Sequence, residues 1–245
     1  MPLYNKEKYV DESIMSVLNQ TYENFELIII DDCSTDSSLE IAKTYLSDGR
    51  VVILNNEYNS GVAITRNRGI KYSKGKYVAF IDPDDIWKPN KIEKQINLIE
   101  SSNADIVYSS YNIVNERGIL IKPFVVPETI TYKTMLHNNV IGCSTVIVRR
   151  NLLDQTCIFN PKAYHEDYVL WMLLLKNGAT AKGETDILVD YQLATGNRSA
   201  NKINAAYQRW KIYRNELNCS MIVSIVSFVL YAFEGVQKYY FNKKY

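Results

Sequence analysis

Along the first 110 residues the hydrophobic pattern switches between two periods. Val10, Ile14, Val17 and Leu18 fall at i, i+4, i+7 and i+8, the stripe of an amphipathic helix. Glu26–Asp32 reads ELIIIDD, an apolar run closed by acids, which predicts a buried strand with polar groups at its carboxyl end. Ser34, Thr35 and Asp36 offer a cap for a helix through Leu39, Ile41, Ala42 and Tyr45. Val51–Leu54 predicts a second strand and Gly61–Ser73 a helix rich in Arg and Asn. Lys76–Ile81 (KYVAFI) predicts a third strand, Ile92, Ile96 and Ile99 a helix, and Asp105–Tyr111 a fourth strand. Strand and helix thus alternate, which predicts an α/β fold with a doubly wound, mostly parallel central sheet flanked by helices. In such sheets ligands sit beyond the carboxyl ends of the strands, where Asp31/Asp32 and Asp82/Asp84/Asp85 fall.

The second half is less regular. Ile119–Val126, Thr145–Val148 and Ile187–Leu193 read as strands, Glu166–Lys176 as an amphipathic helix opening with two acids, and Asn201–Asn218 as a polar helix. With no internal repeat and no Pro/Gly-rich linker, the expectation is one domain over residues 1–200 and a helical tail over 201–245. In the tail, Met221–Phe233 is apolar at every position except Ser224 and Ser227. At about 1.5 Å per residue this run reaches roughly 20 Å, short of the ~30 Å hydrocarbon core of a bilayer. Lys238, Tyr239, Tyr240, Lys243, Lys244 and Tyr245 follow it. Basic and aromatic residues beside an apolar helix suit peripheral contact with a membrane interface; the competing reading is a helix docked on the domain.

Composition narrows the function. In 245 residues, 28 Lys plus Arg against 27 Asp plus Glu leave a net charge of +1, so there is no global electrostatic case for nucleic acid. Cys33, Cys143, Cys157 and Cys219 are scattered, form no CxxC pair and suggest a reducing compartment. The first twenty residues hold no apolar run of signal-peptide length, which points to the cytoplasm. No G-x-G occurs anywhere, so the fingerprint of a dinucleotide-dependent oxidoreductase is missing.

Asp82-Pro83-Asp84 is the most informative triplet. In an extended segment residues i and i+2 point the same way, and two carboxylates on one face suit a hard divalent cation such as Mg²⁺ or Mn²⁺. Taken alone the tripeptide reads as a solvated acidic turn. At the end of an apolar strand it reads as a cation site.

These residues belong to a longer run. Pro2-Leu3-Tyr4-Asn5, Ser16 to Tyr22, Phe25 to Asp32, Asn59-Ser60-Gly61, Arg66-Asn67, Gly69, Gly75-Lys76-Tyr77, Phe80 to Asp85 and Trp87-Lys88-Pro89 stand in one order. Together they closely resemble the opening of family 2 glycosyltransferases, strongly over residues 1–110. Farther on, His165-Glu166-Asp167 looks like the family's catalytic "ED" motif. The resemblance implies a GT-A fold, a nucleotide-diphosphate sugar donor and an inverting transfer. Carried over by position, Pro2 and Tyr4 line the nucleotide pocket, Asp32 hydrogen-bonds the base (taken as uracil) and Arg66 lies near the nucleotide. Asp82 reaches the ribose or a metal-bound water, Asp84 binds Mn²⁺ or Mg²⁺, and Asp167 is the general base with Glu166 beside it.

The chemistry of these groups agrees. A carboxylate accepts the N3–H of uracil. A divalent ion neutralises charge on a departing diphosphate. A lone carboxylate takes the acceptor hydroxyl's proton, with no acid needed for the leaving group. Other side chains have plainer readings: Trp87 and Trp171 as core residues, His165 as a loop histidine, Glu166 as a helix-start acid favoured by the dipole, and the cysteines as small buried hydrophobes.

Related enzymes imply a glycan or lipid-linked acceptor in lipopolysaccharide or capsule assembly at the inner face of the plasma membrane. Arg209-Trp210 is similar to part of the QxxRW signature of processive synthases, but Ala206 occupies the Gln position, so a single, non-processive transfer is expected. The family opens with an apolar strand before its Pro2–Asn5 motif; with Met1 directly before that motif, a shortened central strand is expected. The alternatives are a nucleotidyltransferase that makes the nucleotide sugar, which needs a glycine-rich loop where residues 1–20 contain no Gly, and a truncated non-catalytic paralogue, against which Asp84 and Asp167 both stand.

Overall fold

The computed structural model describes residues 1–153, 158–193 and 202–241, the last as backbone only at 202, 203 and 234–241. Cys157 and the basic–aromatic end of the tail (Lys243, Lys244, Tyr245) lie outside the described residues, as do the side chains of Lys238, Tyr239 and Tyr240.

A three-stranded parallel sheet is built from β1 (Pro2–Leu3), β2 (Leu27–Asp31) and β3 (Val51–Asn55) in that order. Pro2 pairs with Ile30 and Leu27 with Val51, and the Met1 amino group donates to the Ile28 carbonyl at 2.9 Å. Between the strands run α1 (Val10–Leu18) and α2 (Ser38–Lys43). Val10, Ile14 and Val17 are buried on α1, the face their spacing predicts. The helix α3 (Val62–Tyr72) leads to β4 (Tyr77–Ala79), β5 (Ile86–Trp87), α4 (Lys91–Ser102) and the long β6 (Ile106–Val114). α4 ends where Asn103 adopts φ 51°, a left-handed conformation that Asn tolerates and a continuing helix cannot use.

The second sheet holds β4, β5, β6, β7 (Leu120–Phe124), β8 (Thr129–Ile130), β9 (Ile147–Arg149) and β10 (Ala181–Gln192), with the central order β4-β9-β6-β10-β5. The α/β class and its flanking helices stand as expected. The pairing is less parallel than the alternation implies: beyond β1-β2-β3 the parallel pair is β6-β10, while β4-β9, β6-β9, β6-β7, β5-β10 and β8-β10 are antiparallel. The irregular second half of the chain folds back into the sheet, and its strands β7, β8 and β9 all enter antiparallel to their neighbours. β10 passes Pro127 so closely that a Cβ at Gly183 would lie 2.1 Å from the Pro127 carbonyl oxygen, a position only glycine can hold.

The main core lies under this sheet. α5 (Tyr132–His137) and α6 (Glu166–Lys176) pack there. α6 is not amphipathic as expected: Tyr168, Val169, Leu170, Trp171, Met172, Leu174 and Leu175 are all buried, as befits a helix apolar on every side. α7 (Lys202–Lys211) and a π-helical turn (Ile212–Glu216) follow, and Ile212, Tyr213, Leu217 and Cys219 join the same core. The last helix, α8 (Met221–Phe241), rests on α5 and α7. A cavity of 440 Å³ opens beside β2 and β4, lined among others by Met1, Phe25, Leu27, Val78 and Ile96.

Candidate active site

Acids and bases collect where β1, β2 and β4 end and where α3 and α6 begin. Asp32 follows β2 directly. Its Oδ1 accepts from Asn56 Nδ2 (2.6 Å) and the Ser60 N–H (2.8 Å), and its Oδ2 from the Gly61 N–H (2.8 Å). Gly61 precedes α3 with φ 84°, a left-handed residue that lets the turn present both N–H groups to one carboxylate. Asp32 therefore fixes the turn that leads into α3. Burial opposes its charge, but the Ser60, Asn56 and Gly61 hydrogen bonds outweigh it and hold its pKa below the ordinary value. Asn56 also donates to Thr65 Oγ1 at 3.1 Å, tying this hub to the residue beside Arg66.

Arg66 forms the second hub. Its guanidinium is buried; Nη2 donates to Asp82 Oδ1 at 2.6 Å and Nη1 to Glu166 Oε1 at 2.9 Å. The cation also lies 5.3 Å from the Phe159 ring, and its Nε has no hydrogen-bond partner. Burial alone would disfavour the charge; the Asp82 and Glu166 carboxylates prevail and keep Arg66 ionised. One side chain of α3 thus joins the end of β4 to the start of α6.

The segment Asp82–Asp85 is a turn, in which the Asp85 N–H donates to the Asp82 carbonyl at 3.0 Å. This corrects the extended reading that put Asp82 and Asp84 side by side. The turn sends them to different cations, Asp82 to Arg66 and Asp84 Oδ2 to Lys6 Nζ at 2.5 Å. Proline at the second turn position and flanking acids favour this geometry over a strand. Asp85 points inward, accepting from the Gln192 N–H at 3.0 Å and from Ser144 Oγ. Burial, with the charges of Asp82 and Asp84, pushes its pKa well above the carboxylate range.

Glu166 and Asp167 open α6, where the helix dipole favours acids. Glu166 is taken by Arg66. Asp167 Oδ1 accepts the Tyr168 N–H at 2.7 Å. Burial and then the neighbouring Glu166 charge raise its pKa to about 6. Pro2 is buried within β1, and Tyr4, just beyond it, is exposed. The fold therefore unites Arg66, Asp82 and Glu166 and links Asp32 to them through Thr65. Trp87 and Trp171 are core residues, and His165 packs edge-on against Tyr164 at 4.8 Å.

Sequence reasoning missed Lys6, Asn56 and Ser144. Lys6 stands two residues past Tyr4, inside the opening motif, and that position was the available signal. Ser144 accepts from the Asp82 N–H at 3.0 Å across 62 residues, from a stretch without pattern.

A family model, "Glycosyl transferase family 2", matches residues 1–156. The chain belongs to this family. It is a glycosyltransferase.

Among relatives of this glycosyltransferase, the Escherichia coli enzyme UDP-Glc:alpha-D-GlcNAc-diphosphoundecaprenol beta-1,3-glucosyltransferase WfgD is 38% identical over all of this chain and 95% of its own length. Solved structures of other glycosyltransferases share its fold. Staphylococcus aureus TarS 1-349 in complex with UDP-GlcNAc superposes with a TM-score of 0.74 at 21% identity, over 94% of this chain and 70% of that one. The mannosyltransferase PcManGT from Pyrobaculum calidifontis, in complex with GDP-Man and Mn²⁺, gives 0.71 at 13% identity, over 94% and 68%. At these identities the likeness is one of fold, the GT-A fold.

Among the described residues no group of three or more His, Cys, Asp or Glu is arranged to hold a metal by itself. Asp84 nonetheless already carries a cation, the Lys6 ammonium. Hard carboxylate oxygens, one or two from the protein with phosphates completing the shell, are what Mg²⁺ or Mn²⁺ takes, so the residues present fit such an ion.

Proposed function

We propose that this glycosyltransferase moves one sugar from a UDP-sugar to a lipid-linked or glycan acceptor, with inversion, in surface polysaccharide assembly. The observation that carries the reading is the division of labour at the start of α6. Glu166 is neutralised by Arg66, whereas Asp167 keeps a carboxylate poised near neutrality. A general base works best with a pKa near the working pH, and a group that takes the acceptor proton in a single displacement inverts the sugar carbon.

Each of the other residues has a part. Asp32, Pro2 and Tyr4 form the nucleotide end, and Arg66 positions Asp82 against α6. Asp84, with Asp82 near it, would hold Mn²⁺ or Mg²⁺, which neutralises charge on the leaving diphosphate. The UDP donor and the lipid-linked acceptor follow the names of the relative and of the TarS complex.

A membrane-bound acceptor accords with α8. No helix among the described residues is long and apolar enough to cross a bilayer. Yet Ser224 and Ser227 face the protein, while Met221, Ile222, Ile225, Val226, Val229 and Phe233 face outward. A docked helix in water would show the reverse. This apolar face would lie on the cytoplasmic surface of the plasma membrane.

The test is release of UDP and formation of product from UDP-glucose, UDP-galactose, their N-acetyl forms, and GDP- and dTDP-sugars, with a polyprenyl-diphosphate-linked GlcNAc as acceptor. A β-linked product from a UDP-sugar in the presence of Mn²⁺ or Mg²⁺ supports the reading. Transfer only from a GDP-sugar, or full turnover in EDTA, overturns its donor or its metal.

A further inference from the structure

Both carboxylates of the Asp82–Asp85 turn that face the site are paired with cations of the chain, but not equally. Asp82 is held by Arg66, whose side chain is 5% exposed and shared with Glu166. Asp84 is held by Lys6, a single-point contact with side-chain exposures of 29% for the lysine and 16% for the acid. Among the described residues Lys6 is the sole hydrogen-bond partner of Asp84, and the pair is the least exposed of the lysine ion pairs. The lysine main chain is anchored: its N–H donates to Ser38 Oγ at 2.6 Å, and its carbonyl accepts from the N–H groups of Tyr9 and Val10. The side chain therefore starts from a set point, and the Tyr9 ring, 5.8 Å from Nζ, is its other neighbour of note.

An incoming cation has one pair it can open. Freeing Asp82 would leave one arm of a buried guanidinium without its partner, a cost of several kcal/mol for a desolvated charge only partly compensated by Glu166. Freeing Asp84 requires only that a lysine swing toward water or toward another anion. We propose that Lys6 is an internal counter-ion of Asp84, which a divalent cation displaces on binding, and that the freed ammonium then pairs with the diphosphate of the donor. Metal without nucleotide must compete with Lys6 and leaves its charge unpaired. Metal with a diphosphate gives the ammonium a new partner, so the two ligands favour each other's binding by the same factor. This inference rests on the reading of Asp84 as a metal residue.

The experiment is Mn²⁺ titration of the full chain by electron paramagnetic resonance, with and without UDP, on the wild type and on Lys6→Met, Lys6→Arg and Asp84→Asn. Lys6→Met should bind Mn²⁺ about ten-fold more tightly than wild type without UDP, the size of a charge-assisted contact. The gain in Mn²⁺ affinity on adding UDP should shrink in the same variant. Lys6→Arg, which keeps the charge, should behave as wild type. If Lys6→Met binds Mn²⁺ no more tightly while Asp84→Asn loses it, Lys6 is no competitor and the inference falls while the metal reading stands. Equal tightening by Lys6→Arg also overturns it. If Asp84→Asn binds Mn²⁺ as wild type does, the metal reading itself falls and takes the inference with it.

Discussion

Arg66 donates to Glu166 at 2.9 Å across 100 residues of chain, and on the proposed reading this pair decides which of two adjacent acids is left to accept a proton. Asp167→Asn should lower transfer to acceptor by ~10²–10⁴ while leaving UDP affinity and metal dependence little changed. Glu166→Gln should act mainly on stability, costing about 3 kcal/mol because it leaves part of a buried guanidinium uncompensated. Acceptor turnover and urea titration of both variants check this; a dead Glu166→Gln beside a fully active Asp167→Asn would reverse the assignment.

The raised pKa of Asp167 gives the enzyme a pH signature. Only the ionised form accepts a proton, so kcat/KM should climb as pH passes through about 6 and level off above it. Stability runs the opposite way. A carboxyl whose folded pKa lies above its unfolded value favours the native state when protonated, and that advantage fades as pH rises from about 4 through about 6. Asp167→Asn should therefore melt higher than wild type at pH 7.5 and alike at pH 4, as scanning calorimetry would show.

Asp32 carries the opposite sign. Its folded pKa is depressed by the Ser60, Asn56 and Gly61 hydrogen bonds despite its burial. The stability it adds is present above its unfolded pKa and lost as pH falls through the folded one. Asp32→Ala should cost about 2 kcal/mol at neutral pH, the worth of a hydrogen bond to a charged group, and the deficit should close in acid. Calorimetric titration should show weaker UDP binding in the same variant; unchanged binding would restrict Asp32 to holding the Ser60–Gly61 turn.

Replacing outward residues of α8 separates membrane contact from folding. Ile222, Ile225 and Val229 are 76%, 49% and 60% exposed, so changing all three to Ser should leave the melting temperature nearly unchanged. Flotation with anionic liposomes should drop sharply, since the variant loses three of the apolar side chains that would enter the interface. Wild-type flotation by the triple variant would count against the bilayer as the occupant of that face.

Local sequence pattern placed α1, β2, β3, α3, α4 and α6 to within a few residues, and for α1, β2 and α4 the reason is that each buries a face or a run that its neighbours in sequence already encode. The ordered motifs likewise put Asp32 and Asp82 at strand ends, Asp167 at a helix start and Arg66 on a helix. Three matters were settled only by the fold. Asp82–Asp85 closes into a turn where i and i+2 spacing suggested a shared face, since the sequence cannot say whether a strand continues past its last apolar residue. The serines of α8 point inward and its aliphatic residues outward, which composition cannot reveal because the same helix could present either side. Arg66 reaches Glu166 and Lys6 reaches Asp84 over 100 and 78 residues. Local pattern records which way a side chain faces its own element; which charges meet is decided by where distant segments cross, and that crossing is what gives Glu166, and not Asp167, to Arg66.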